Sequence, residues 1–340
     1  MKTYDKIFVT NLPAFYKLNL YNEIANRIKI AVIFTGDDSE SRNSDFFKGE
    51  KAFDTYFFKR RNLPYRLIFP IVLLSKLSYK ELIIGGWDSI PMWIFAILSP
   101  SRKNSIVVES SYYESTTSGL KGLIKRIFTI MIRKYAYVSG KAQEQLIKNA
   151  RFKGEIITTK GVGIFNYIQQ PHYQQKEKVK NFIYVGRLVE VKNLKFLITV
   201  FNTLPQYTLH IVGFGEQEDQ LKSIAKSNII FHGAINNKEL PKFYQRYDIF
   251  ILPSKYEPWG LVVEEALNNG LPVMISDRVG CGPEIINDSN GIVFKYNSEE
   301  DLKEKISIIS NIDYYNQLRK NISQLDFQAI EQFQIECYLK

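Results

Sequence analysis

Cysteine is nearly missing: Cys281 and Cys337 are the two thiols in 340 residues. Two thiols make neither a disulfide framework nor a zinc quartet, which fits a reducing compartment. Neither thiol is accompanied by the His or base motif that an activated cysteine needs. Long hydrophobic runs are missing too. The most apolar stretches, Leu67 to Ser75 with Pro70 inside it and Ile90 to Leu98 with Pro91 near its start, fall short of the roughly 18 to 20 residues of a spanning helix. The polar start Met1 to Asp5, followed by the brief run Ile7 to Val9, does not read as a secretory leader, so the expected location is the cytosol. Histidine is scarce, three in all and none within residues 1–170. RNA-binding module signatures and zinc-finger spacings do not occur, and nucleic acid is not an expected partner. No repeat interrupts the chain, and its longest biased tract is Asn166 to Lys180, rich in Gln, Lys and Glu, which reads as an interdomain linker.

What remains is the composition of an ordinary folded protein, 45% apolar and 24% charged. At roughly 150 residues per domain the length suggests two domains, each large enough to bury a core without disulfide or metal staples. Charge is uneven. Residues 1–170 hold 26 Lys and Arg against 14 Asp and Glu, and the remainder holds 19 against 21. The first half therefore carries the whole positive excess, as a surface facing anionic lipid or a phosphorylated substrate does.

Short apolar runs rich in Ile, Val and Phe alternate with helix-like stretches. In the first half these are Lys6 to Thr10, Ile30 to Phe34, Glu81 to Ile84, Ser105 to Val108 and Tyr135 to Ser139. In the second they are Asn181 to Val185, Tyr207 to Val212, Ile229 to Phe231, Ile249 to Leu252, Pro272 to Ser276 and Gly291 to Phe294. Continuous rather than alternating apolarity predicts strands buried on both faces, hence parallel sheets covered by helices. The fold class is α/β with two doubly wound, Rossmann-like domains, 1–168 and 181–340, joined by 169–180. The last helix-like stretch, about 313–338, has no strand after it and is expected to dock back on the N-terminal domain.

The densest text is Leu252-Pro253-Ser254-Lys255-Tyr256-Glu257-Pro258-Trp259-Gly260-Leu261-Val262-Val263-Glu264-Glu265. It predicts a strand ending at Ser254, a loop, and a helix opened at Gly260 and closed by Gly270. Such a helix points the backbone N–H groups of Gly260, Leu261 and Val262 to the carboxyl edge of the sheet, where they stabilise a phosphate. Upstream, Gly186 turns the chain out of a strand just before Arg187, and Lys192 follows five residues later. Both cations can converge on one diphosphate, Arg187 through a planar fork and Lys192 as a point charge. Gly213 and Gly215 end the next strand in a glycine turn, although Glu218 replaces the third glycine of a dinucleotide fingerprint.

Together these segments resemble the retaining GT-B glycosyltransferases of the glycosyltransferase family 4 group, of the bacterial surface-polysaccharide type. The resemblance is carried by Val185-Gly186-Arg187-Leu188 with Lys192-Asn193, by Ile211 to Gly215, by Phe231-His232-Gly233, and by Glu257-Pro258 with Glu265-Ala266. The closing texts Gly282-Pro283-Glu284-Ile285-Ile286 and Asn290-Gly291 complete it. It implies two domains facing a central cleft and a nucleotide-diphosphate sugar as donor. It also implies roles: Arg187 and Lys192 on the donor diphosphate, Glu257 on the sugar hydroxyls, Glu265 on the ribose, and Gly260, Leu261 and Val262 on the distal phosphate. Preorganised cations and a helix N-terminus stabilise the charge on a leaving diphosphate, so neither a metal nor a cofactor is expected. Glu264, next to Glu265, is assigned to surface or cap chemistry. His210 and His232 read as packed or backbone-bonded residues beside their strands, and His172 as exposed in the linker.

The first half departs from the resemblance. Asn11-Leu12-Pro13-Ala14 stands where many relatives carry a glycine-rich loop, and their N-terminal histidine has no counterpart. Asp88 and Glu109, at predicted strand ends, are the acceptor-side candidates. The basic stretches Lys59 to Lys80 and Lys121 to Lys134 suggest contact with an anionic membrane. In the second, Lys121, Lys125, Arg126 and Arg133 lie on one side of a helical wheel and Leu123, Ile124, Ile127, Phe128 and Met131 on the other. The alternative for that helix is to pack its apolar face on the sheet with solvated cations outside. The expected function is transfer of a sugar to a lipid-linked, lipopolysaccharide- or capsule-type glycan by a cytoplasmic enzyme, peripheral on the inner face of the membrane. The alternatives are a soluble transferase acting on a small sugar or storage polysaccharide, and a catalytically idle sugar-nucleotide binding module.

Overall fold

The computed structural model describes residues 1–36, 44–58 and 63–340. The chain divides into two compact units, Met1–Ile164 with Gln328–Lys340, and Phe165–Phe327. The first unit runs β1 (Lys2–Thr10), α1 (Phe15–Ala25), β2 (Ile30–Phe34), β3 (Asp54–Phe57), α2 (Leu63–Leu74), β4 (Leu77–Ile84), α3 (Ile90–Leu98), β5 (Asn104–Val108), α4 (Gly119–Ile130), β6 (Tyr135–Val138), α5 (Lys141–Asn149) and β7 (Glu155–Thr158). The strands form one sheet in the order β3-β2-β1-β4-β5-β6-β7, every pair parallel. Alternate residues of each strand point to opposite faces. Ile7, Val9, Ile33, Leu82 and Ile84 pack with Leu73 of α2, Phe95 of α3, Phe128 of α4 and Leu146 of α5. Phe8, Val32, Phe34 and Ile83 face the other way, with Leu18 and Ile24 of α1 and the C-terminal Ile335 and Tyr338.

The second unit continues with β8 (Asn181–Val185), α6 (Leu194–Phe201), β9 (Thr208–Val212), α7 (Glu218–Ile224), β10 (Ile229–Gly233), α8 (Leu240–Tyr244), β11 (Ile249–Leu252), α9 (Leu261–Asn268), β12 (Val273–Ser276), α10 (Gly282–Ile285), β13 (Gly291–Phe294), α11 (Glu299–Ile309) and α12 (Ile312–Ile322). Its strands lie in the order β10-β9-β8-β11-β12-β13, again all parallel. In both units the order reverses beside the first strand, leaving a crevice at the carboxyl ends of the central strands. The two doubly wound α/β sheets are those expected from the apolar runs.

Three features differ from the sequence reading. The stretch 313–338 is two helices: α12 belongs to the second unit, while α13 (Phe327–Cys337) leads back to the first. There Tyr338 stacks on Tyr137 with ring centroids 4.5 Å apart, and Lys6 Nζ donates to the Lys340 carbonyl at 2.8 Å. The linker-like tract is held along the second unit, where Lys176 and Asn316 exchange two hydrogen bonds of 2.9 Å and the Lys176 ammonium pairs with Asp248. The α4 helix buries Lys125 beside Phe128 and leaves most of its apolar stripe outside. Gly122, Lys125, Phe128 and Thr129 are buried, whereas Leu120, Leu123, Ile124, Ile127 and Ile130 are exposed. Lys125, counted above among the membrane-facing cations, instead donates to Ser115 Oγ and the Thr116 carbonyl, each at 2.5 Å, with its ammonium 5.5 Å from the centroid of the Trp87 ring. Lys59, Arg60 and Arg61 lie outside the described residues.

A buried charge cluster ties the first sheet together. Glu81 Oε2 receives Lys6 and Lys134 at 2.9 Å each, and Oε1 accepts from Ser105 at 2.5 Å and Tyr137 at 3.2 Å. Burial works against the Glu81 charge, but Lys6, Ser105 and Lys134 outweigh it and hold the carboxyl below its ordinary range. Removing one member of such a buried set leaves its partner charged and dry, at a cost of about 3 to 5 kcal/mol.

Candidate active site

The crevice of the second unit lies between the ends of β8 and β11. β8 delivers Gly186 and Arg187, and β11 delivers Pro253, Ser254 and Lys255. The turns after β8 and β9 come so close that only glycine fits between them. A Cβ on Gly213 would sit 1.8 Å from the Gly186 carbonyl oxygen, and one on Gly215 would sit 2.4 Å from that of Leu188. Backbone bonds lock the approach: Gly186 donates to Val212 at 3.0 Å and Leu188 to Phe214 at 2.9 Å. The Tyr184 hydroxyl, buried beneath this turn, donates to the Arg187 carbonyl at 2.9 Å and fixes the residue that bears the guanidinium.

The β8 and β11 loops are stitched to each other. Lys255 N–H donates to Val191 at 2.8 Å, and Asn193 Nδ2 donates to the Pro253 carbonyl at 3.2 Å. The ammonium of Lys192 pairs with Glu257 Oε2, and the two side chains are 14% and 15% exposed. Glu257 is held from the other side, where its N–H donates to Arg278 and its carbonyl accepts from Gly280 at 2.9 Å. Lys192 and Glu257 thus meet in the crevice across 65 residues of sequence, and Arg187 follows β8 at its edge.

Gly260 is the N-cap of α9 rather than its first residue, with φ +95°, a left-handed conformation that a side chain resists. The N–H groups of Leu261 and Val262 open the helix and lack intrahelical acceptors, so they present partial positive charge at the carboxyl edge of the sheet. Glu265, four residues into α9, accepts from the Tyr244 hydroxyl at 3.2 Å; burial pushes its carboxyl up to about 7 against that bond.

Glu264 does not take the surface role given to it above. Its side chain is buried and accepts from the Trp259 indole at 2.8 Å, and burial pushes its carboxyl up to about 8. The pairing anchors the loop that carries Glu257, because Trp259 also accepts at its carbonyl from Cys281 N–H at 3.0 Å. The sequence signal was present: a tryptophan with a polar N–H one turn before an acid on a core-facing helix. His210 and His232 bond each other, Nδ1 to Nε2 at 3.0 Å, with rings stacked 5.2 Å apart, and the Tyr247 hydroxyl lies 3.4 Å from His232 Nε2, so both are packed residues whose partners are side chains. Burial lowers both imidazoles, His210 to about 4.

In the first unit, Asp88 follows β4 and Glu109 follows β5. Glu109 Oε1 receives the ammonium of Lys17 at 2.5 Å, and Lys17 also donates to Thr10 Oγ1 at 3.2 Å. Burial opposes the Lys17 charge, yet Glu109 outweighs it and keeps the ammonium's pKa above its ordinary value. Asp88 is exposed and attracted to Lys125 of α4. The sequence reading missed Lys17. The signal for it was position: the helix after the first strand of a doubly wound domain starts at the carboxyl edge, so a cation in its first turn belongs to the crevice.

Residues 168–325 match the family model described as glycosyl transferases group 1. The O-antigen biosynthesis glycosyltransferase WbnH of Escherichia coli is 33% identical over 228 residues, 64% of this chain and 62% of the relative, so the match spans less than two thirds of that protein's length. Among solved structures, the sucrose-phosphate synthase of Thermosynechococcus elongatus superposes with a TM-score of 0.73 at 16% identity, covering 98% of each chain. The lipopolysaccharide outer core galactosyltransferase WaaB, in its apo form, superposes with a TM-score of 0.70 at 15% identity, covering 98% of this chain and 99% of the other. The chain thus matches the glycosyl transferases group 1 model over residues 168–325 and has the two-domain α/β fold of the GT-B glycosyltransferases.

Proposed function

We propose that the protein is a retaining, metal-independent glycosyltransferase that moves a sugar from a nucleotide-diphosphate donor to a lipid-linked, lipopolysaccharide- or capsule-type glycan. The observation that carries this reading is the Lys192–Glu257 pair in the β8/β11 crevice, with Arg187 directly after β8 and Glu257 beside Gly260 at the α9 N-terminus. In the reaction, the bond between the anomeric carbon and the diphosphate oxygen breaks and leaves its electron pair on oxygen. The acceptor hydroxyl oxygen forms the new bond and gives up its proton to the departing diphosphate oxygen. Arg187 and Lys192 take the charge that grows on the diphosphate, and the Gly260, Leu261 and Val262 end of α9 takes the distal phosphate. Glu257 orients the sugar through its hydroxyls, and Glu265 binds the ribose. Glu264 acts at one remove, through Trp259, as a positioning residue for the Glu257 loop.

On the acceptor side, Asp88, Glu109 and Lys17 follow the carboxyl edge of the first sheet, where an ion pair and an exposed carboxylate match the hydroxyls and charges of a glycan. A lipid-linked acceptor places the enzyme at the inner face of the cytoplasmic membrane. The names of WbnH and WaaB support the acceptor class. The test is to incubate the protein with UDP-, GDP- and ADP-sugars and a lipid-linked acceptor, and to read the anomeric configuration of the product by proton NMR. Transfer with the donor's configuration kept is expected. Inversion, or hydrolysis and transfer both lacking with every donor, refutes the reading.

A further inference from the structure

The α4 helix breaks the usual logic of a sheet-covering helix, in which the apolar stripe packs on the core and the polar face meets water. Its inward side carries Lys125, 7% exposed, while Leu120 and Ile130 at its two ends are 73% and 71% exposed. Leu123, Ile124 and Ile127 continue the stripe between them, also exposed. Turning Lys125 inward is tolerated because its ammonium is satisfied by Ser115, the Thr116 carbonyl and the Trp87 ring. The outward stripe therefore does not result from a shortage of core partners for the polar side. An amphipathic helix held in this orientation presents its apolar face to something other than its own domain.

The neighbouring helices extend the same surface. α2, α3 and α4 cover one face of the sheet, with Trp93 of α3 against Phe128 of α4 at 5.0 Å between centroids. Ile68 and Ile71 of α2 and Ile97 of α3 are exposed on that layer as well. Charge supplies the identity of the occupant. Segments 55–80, 89–108 and 115–143, from which these helices come, contain 14 Lys and Arg and not one Asp or Glu. With Lys76, Arg102, Lys121 and Arg133 exposed on and beside these helices, the apolar stripe complements a surface that is greasy beneath and negative at its edge. At 12 residues α4 is about 18 Å long, too short for the roughly 30 Å of bilayer hydrocarbon, so it suits the plane of the interface.

We propose that the outward face of α4, extended by α2 and α3, is a monotopic docking surface for an anionic bilayer, inserting Leu120, Leu123, Ile127 and Ile130 among the acyl chains while Lys121, Arg126 and Arg133 meet the headgroups. This goes beyond the charge-led attraction expected from the sequence, because insertion of the stripe carries the anchoring and the cations steer it. The inference rests on the proposed function only for its purpose, presenting a lipid-linked acceptor to the first unit; the surface itself is read from burial and charge.

Co-sedimentation of the full chain with vesicles of equimolar phosphatidylglycerol and phosphatidylcholine tests it, alongside vesicles of phosphatidylcholine alone. Wild-type protein is expected to pellet with the anionic vesicles and to retain part of that binding in high salt. The double variant Leu123→Asp with Ile127→Asp changes outward side chains and leaves the core alone, so its circular dichroism and melting are expected to match wild type while vesicle binding falls at least tenfold. Lys121→Glu with Arg133→Glu is expected to weaken binding less in high salt than in low salt. The proposal is overturned if wild type ignores anionic vesicles at low salt, or if the folded double Asp variant binds them as well as wild type. It is also overturned if wild type instead forms a dimer in lipid-free sedimentation that the Asp pair dissolves, because the face is then a subunit interface. Nucleoside diphosphate binding, measured on the same preparations, separates the two proposals: wild type that binds nucleotide but no anionic vesicles refutes the surface alone, and wild type that binds anionic vesicles but no nucleotide refutes the donor site alone.

Discussion

Glu257→Gln is expected to pull apart two properties that most site substitutions lose together. In the free protein the Lys192 ammonium is committed to Glu257, with both side chains about six-sevenths shielded from water. At an effective dielectric near 20, unit charges about 4 Å apart attract by about 4 kcal/mol. Desolvation of the two ions cancels much of this, leaving a net coupling of about 1 to 2 kcal/mol that an incoming diphosphate has to compete against. The amide keeps the shape and removes the competitor, so free nucleoside diphosphate is expected to bind about 5- to 30-fold more tightly. Transfer is expected to fall, because the sugar hydroxyls lose a charged acceptor; a loss on the order of 2 to 4 kcal/mol at the transition state is roughly 30- to 1,000-fold in rate. Isothermal titration with UDP, GDP and ADP gives the first number and initial rates with the matching nucleotide sugar give the second. Weaker diphosphate binding in the variant, or turnover equal to wild type, refutes the division of labour between Lys192 and Glu257.

Two further outcomes probe the scaffold. Glu81→Gln strips the carboxylate from between Lys6 and Lys134, and denaturant titration is expected to show about 3 to 5 kcal/mol less stability; a midpoint unchanged from wild type removes the cluster from the account. Glu264, pushed up to about 8, holds a proton in the folded state that the unfolded chain has released above its ordinary range near 4.5. Its contribution to stability is therefore present at low pH and lost as pH rises through that window, at a limiting slope of about 1.4 kcal/mol per pH unit. Urea midpoints taken at about pH 6 and 9 are expected to fall less in Glu264→Gln than in wild type, and parallel falls contradict the burial argument.

The eleven apolar runs read from the sequence all became strands, and in most of them burial on both faces writes an uninterrupted signal; the edge strands β10 and β13, with Ile230 and Val293 exposed, carry it on apolar residues nonetheless. β3 and β7 escaped notice for the opposite reason. Both are sheet edges of four residues, Asp-Thr-Tyr-Phe and Glu-Ile-Ile-Thr, half exposed and polar at their outer positions. The crevice of the second unit was legible because its parts are local: glycine turns at strand ends, two cations five residues apart, a helix opening. Long-range pairings were not. Nothing in the spacing tells that Lys192 reaches Glu257, that Lys17 reaches Glu109, or that Trp259 draws Glu264 inward. For helix α4 periodicity gives the two faces but not which of them meets the sheet, so both orientations stayed open; the contacts of Lys125 with Ser115 and Thr116 depend on the loop before the helix.

Donor binding in the second unit is the claim on which the rest depends, and one titration addresses it: UDP, GDP and ADP into wild-type protein and Arg187→Ala, in the presence of EDTA. The account predicts that at least one nucleoside diphosphate binds wild type without metal and that losing the guanidinium weakens it by roughly 30-fold, about 2 kcal/mol for a charge-assisted contact. Binding of none of the three, binding only after manganese is restored, or equal affinity in Arg187→Ala contradicts it.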